Sequence, residues 1–148
     1  MKPSIPISLI CALLIMLWVY AALSKLDEFT AFGYGLQRQP LPQWSIPILK
    51  WCLPVIELFT AVIIYFQRTR LTGLIISSFL MICFTLYVLL ALNGTFGNIP
   101  CSCAGIISGL RWKGHLLFNI IFTVISITGV YLQVHKDNRF VKHKPVAA

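Results

Sequence analysis

Between Ile99 and Asn119 the sequence reads IPCSCAGIISGLRWKGHLLFN, with Cys101 and Cys103 one residue apart directly after Pro100. Two thiols at this spacing can close a disulfide, exchange disulfides with a partner, or grip a soft metal ion. A disulfide requires Cα atoms within about 4.4–6.8 Å, which an i,i+2 pair reaches only where Ser102 is bent. Such a bond is strained, and therefore comparatively oxidising and easily exchanged. Arg111, Lys113 and His115 follow closely, and positive charge near sulfur favours the thiolate, the species that attacks in exchange. Idle loop thiols are the plain alternative, against which the tight spacing argues.

The elements that must position this pair are set by composition. Of 148 residues, 58% are hydrophobic and only 11% charged, with mean hydropathy +0.85, outside the range of soluble domains. Four apolar blocks, Ile5–Leu23, Ile46–Phe66, Leu71–Leu92 and His115–Val134, are each close to the roughly 20 residues that cross a hydrocarbon core as a helix. The expected fold is all-α: a polytopic four-transmembrane-helix bundle over residues 1–134, then a basic tail over 135–148 lying on anionic lipid or disordered. The net charge of +8 is carried by loops and tails beside apolar spans, so the bilayer and not nucleic acid is the implied partner. The first block imitates a signal peptide but exceeds the ~7–15 apolar residues of one, and it reads as a retained helix with Trp18 and Tyr20 at the interface. Five cysteines make no disulfide framework; Cys11 and Cys83 read as small packing residues, and Cys52 as an interfacial residue or a third member of the thiol set.

Candidate partners for the thiols lie in the spans and near their ends. Glu57 falls about 16 Å along the second helix, where an acidic residue costs about 3 kcal/mol on insertion scales and is expected to face the bundle interior. Pro54 frees the Lys50 carbonyl one turn earlier and predicts a kink. Glu57 reads either as an interhelical hydrogen bond or as a proton-handling or ligand-contacting carboxylate. His115, Asn119, Thr123, Ser126 and Gly129 share one face of the last helix, and Glu57 is expected to point towards the His115/Asn119 end of it. Ser77, Ser78, Thr85 and Tyr87 in the uncharged third block suit helix contacts. Leu26, Phe29, Phe32 and Leu36 predict a short surface helix that Gly33 and Gly35 weaken and Pro40 and Pro42 end. Lys25, Asp27 and Glu28 read most simply as a solvated interfacial cluster, with a role in the site as the lesser reading. No internal repeat, phosphate loop or serine-type triad is present.

With four crossings the termini share a side. That side holds Lys2, Arg68, Arg70, Lys136, Arg139, Lys142 and Lys144; the other holds Lys25, Arg38, Lys50, Arg111 and Lys113. The positive-inside rule then places both termini in the cytoplasm and the Cys101/Cys103 loop outside, in a bacterium the periplasm, where disulfide chemistry is permitted.

The pattern SKL-D…F…L…P over Ser24–Pro40, the Pro54…Glu57 pair, and PCSC-AG…H…FN over Pro100–Asn119 resemble the MauE family, within the broader DoxX-like four-helix group. The resemblance runs from about Leu9 to Tyr131. It implies a multi-pass protein of the bacterial inner membrane; the founding member serves maturation of methylamine dehydrogenase, whose small subunit is rich in disulfides. It also implies Cys101, Cys103, Glu57, His115 and Asn119 as the functional set, and disulfide formation or transport in the periplasm. The first functional reading is a thiol–disulfide oxidoreductase that passes electrons between a thioredoxin-like or disulfide-rich periplasmic partner and another acceptor, with quinone as one candidate. Two other readings stay open: a non-catalytic assembly subunit, and a soft-metal (Cu or Hg) transporter using Cys101 and Cys103 as ligands.

Overall fold

The computed structural model describes residues 5–39, 41–93 and 112–142. Its helices are α1 (Ile5–Asp27), α2 (Phe29–Gln37), α3 (Ile46–Tyr65), α4 (Arg70–Leu92) and α5 (Trp112–Lys142), with a 3₁₀ turn at Gln43–Ser45, and there is no strand among the described residues. Four helices are long and apolar enough to cross a membrane: α1, the 3₁₀ turn together with α3, α4, and most of α5. The fold is the all-α, four-span bundle that the composition calls for.

Lipid offers no hydrogen bonds to backbone, so these segments must be helical. Hydroxyl residues within them turn back on their own helix: Thr60 donates to the Ile56 carbonyl at 2.7 Å, Ser78 to Leu74 at 2.9 Å and Thr85 to Met81 at 2.6 Å. α3 and α4 meet in a turn at which Thr69 Oγ1 donates to the Ile63 carbonyl at 3.0 Å, satisfying a C-terminal group of α3. The four long helices form a ring in which α1 packs on α3 and α5, and α4 packs on α3 and α5.

The centre is filled by Ile7, Leu14, Trp18, Ile64, Leu74 and Met81. Small residues admit close approach: a Cβ on Gly73 would stand 2.7 Å from the Ile64 backbone nitrogen, so α4 touches α3 only because Gly73 has no side chain. Hydroxyls tie α4 to α5, with Ser78 and Ser126 at 2.9 Å and Thr85 and Thr123 at 3.1 Å. Leu9, Phe59, Phe79, Leu117 and Val124 point outward as an apolar belt suited to lipid.

Four sequence expectations change here. Trp18 is 2% exposed and reaches across the bundle, donating its Nε1–H to Ser77 Oγ at 2.9 Å, so it is a core residue and not an interfacial one. Cys83 is exposed on the outer face of α4, whereas Cys11 is buried as a packing residue. α1 continues through Ser24 and Lys25 to Asp27, about one turn beyond the expected end of its apolar block. The last helix likewise runs on past Val134 to Lys142. α2 docks on α3 through Phe32, Leu36 and Ile46, and Tyr87 donates a hydrogen bond to Gln39, which fastens the end of α2 to α4.

Candidate functional site

The last turn of α1 places Lys25 inward, and the interior of α3 places Glu57 inward, one turn after the buried Pro54. Lys25 Nζ donates to Glu57 Oε1 at 2.7 Å and to Oε2 at 3.1 Å. A third bond runs to the Ala21 carbonyl at 3.1 Å, and the Phe32 ring lies 6.0 Å from the ammonium. The two residues are 5% and 2% exposed. The expected solvated cluster at residues 25–28 is therefore half wrong: Lys25 is buried in an ion pair, while Asp27 and Glu28 are exposed.

Magnitudes explain why both charges tolerate the interior. Each costs about 3 kcal/mol to bury in a span. Coulomb attraction at this separation and an effective dielectric near 20 is about 6 kcal/mol, of the same order as the two costs together. Neither charge would be stable there without the other, and three donated hydrogen bonds leave the ammonium fully used.

His115 and Asn119 sit one turn apart on α5, both buried, and His115 lies within reach of the Lys25 ammonium's field. No hydrogen bond joins either of them to Glu57; the carboxylate is held by Lys25 instead. The face of α5 expected to pack inward does so at His115, Asn119, Ser126 and Gly129, and buried Gln133 extends it. Lys25, Glu57 and His115 come from three helices and gather near the end of the bundle where α1 finishes and α5 begins.

Cys101 and Cys103 lie outside the described residues, as does Arg111; in sequence they fall between α4, which ends at Leu92, and α5, which starts at Trp112. Cys52 is a free, exposed thiol. Five residues before Glu57, it is turned roughly 140° round α3 from the carboxylate, towards the outer surface beside exposed Trp51. Among the described residues no three His, Cys, Asp or Glu side chains gather to hold a metal, and the sulfurs the soft-metal reading uses are Cys101 and Cys103.

Sequence reasoning ranked a site role for Lys25 second to solvation. The available signal was charge balance: an acid deep in one span calls for a cation at matching depth, and Lys25 is the nearest beyond the end of the first apolar block.

These features define a class: a multi-pass helical membrane protein with four candidate spans and, among the described residues, one buried ion pair, Lys25–Glu57. The chain belongs to the methylamine utilisation protein MauE family, whose model matches residues 3–132. No curated protein and no solved structure matches the chain significantly.

Proposed function

We propose that this is a bacterial inner-membrane thiol–disulfide exchange protein, with Cys101 and Cys103 acting at the periplasmic face and Lys25, Glu57, His115 and Asn119 forming a polar floor beneath them. The observation that carries the reading is the buried Lys25–Glu57 pair, gathered with buried His115 near the end of the bundle where α5 begins. Buried charge in a span is rare and marks sites that handle protons or ligands.

In the exchange, a thiolate of a disulfide-forming periplasmic client attacks the Cys101–Cys103 bond. That S–S bond breaks, a mixed disulfide forms, and the freed cysteine leaves as thiolate. The client's second thiolate resolves the mixed disulfide, so the client is oxidised by two electrons and the pair is reduced to a dithiol. A quinone, or the disulfide of a thioredoxin-like partner, then accepts the two electrons and two protons and restores the Cys101–Cys103 bond. Glu57 and His115 are the groups in the floor able to take and return a proton during these steps.

Alkylation with a thiol mass tag in growing cells tests this. The wild type is expected to show oxidised and reduced forms whose ratio shifts when the periplasmic oxidant is removed. Cys101→Ser and Cys103→Ser are each expected to abolish the shift, with one of them trapping the client as a mixed disulfide. Thiols reduced under every oxidant, together with full function in the double variant, would sink the exchange reading. The assembly-subunit reading would then replace it, a role that a fully satisfied ion pair pinning α1 to α3 also fits.

A further inference from the structure

At the end of the bundle opposite the Lys25–Glu57 pair, a groove of ≈ 690 Å³ opens between α1 and the α3–α4 turn. Its walls are Ser8, Ala12 and Met16 from α1, Tyr65 and Phe66 from the end of α3, and Arg70 from the start of α4. Met16, Tyr65 and Phe66 are largely exposed, so these walls of the groove are apolar and open to the surroundings of the bundle. Arg70 is different: it is only 9% exposed, and its Nε–H is buried without a hydrogen-bond partner. A charged donor left unpaired in a buried position is among the most unfavourable arrangements a fold can hold, so an acceptor from outside is called for.

The chain itself supplies no such acceptor from its acidic side chains. It has four in all, Asp27, Glu28, Glu57 and Asp137. The first three lie at or towards the other end of the bundle, and the Asp137 carboxylate accepts from Gln133 Nε2 at 3.1 and 3.3 Å. Arg70 is also the first residue of α4, where the positive end of the helix adds to the attraction for an anion. The planar guanidinium matches two phosphate oxygens at once. Apolar walls beside a guanidinium with an unpaired Nε–H correspond to an acyl chain and a phosphate.

We propose that this groove binds an anionic glycerophospholipid, with its phosphodiester on Arg70 and an acyl chain laid against Met16, Tyr65 and Phe66.

The test is native mass spectrometry of the full chain in detergent, with phosphatidylglycerol, phosphatidylcholine or inorganic phosphate added at equal concentration. Phosphatidylglycerol is expected to be retained in preference to the other two. Arg70→Gln is expected to lower that retention roughly tenfold, as loss of a charge-assisted contact would. Arg68→Gln, an exposed cation in the same turn, is expected to leave it unchanged. Ala12→Leu narrows the groove without touching Arg70 and is expected to reduce retention too, which keeps the test decisive where the Arg70 variant fails to fold. Unchanged retention in either groove variant, or an equal loss in Arg68→Gln, would overturn the site. Displacement of the lipid by inorganic phosphate at equal concentration would make it a free-anion site instead and overturn the lipid assignment.

Discussion

Lys25 and Glu57 form a pair whose members are each destabilising alone, and this gives a sharp expectation for substitutions. Lys25→Met leaves a buried carboxylate without its ammonium and is expected to cost about 3–5 kcal/mol of stability, read from unfolding in mixed micelles. Glu57→Gln strands the ammonium and is expected to cost a comparable amount. The double variant Lys25→Met/Glu57→Leu removes both charges and is expected to lose much less than the two single losses combined, because what is costly is the unpaired charge. The charge-reversed variant Lys25→Glu/Glu57→Lys separates a pin from a proton carrier. If the pair only fastens α1 to α3, reversal retains the thiol shift in cells; if Glu57 handles protons, reversal folds but the shift is lost, while Glu57→Asp keeps part of it.

At the scale of elements, the helices are held by close approach as much as by polar contacts. Two glycines sit at contacts of different kinds. A Cβ at position 73 meets the backbone of α3 at 2.7 Å, and a Cβ at position 129 meets Ile10 Cγ2 at 2.9 Å. Backbone cannot give way without moving a helix, whereas an isoleucine side chain can change rotamer. Gly73→Ala is therefore expected to destabilise by about 1–3 kcal/mol and Gly129→Ala by less, with the order checked by their unfolding midpoints in one detergent. Phe32, Leu36 and Tyr87 hold α2 against α3 and α4 by similar logic: a nine-residue helix containing Gly33 and Gly35 is too short and too weak to persist undocked.

For the whole molecule, the ring of four spans puts the start of α1, the α3–α4 turn and the end of α5 at one end, and the end of α1, the Lys25–Glu57 pair and the start of α5 towards the other. The cation distribution between those ends predicts cytoplasmic termini and a periplasmic cysteine segment. Alkaline phosphatase fused after Asn98 is expected to be active, and fused after Arg70 inactive. The opposite pattern would reverse the orientation and remove the compartment on which the exchange reading depends.

The four-span architecture was legible in the chain because a bilayer admits little else: an apolar run of the right length must be helical to satisfy its backbone, whatever its neighbours do. The inward face of the last span and the inward burial of Glu57 follow from the same constraint, since charge and hydroxyl avoid lipid. Composition could not decide which groups meet. Lys25 looked solvated because the apolar block stops at Leu23, yet α1 keeps its helical path one turn further and carries the ammonium to Glu57, 32 positions away in sequence. Trp18 looked interfacial for its ring chemistry, yet Ser77 on a facing helix offered an acceptor in the centre. Charge counting could place Arg70 only among the cations on the side of the termini; that its guanidinium is buried there is a tertiary outcome. Each of these outcomes depends on the depth and rotation at which helices distant in sequence come to rest, and that is set by their mutual packing, which no single segment encodes.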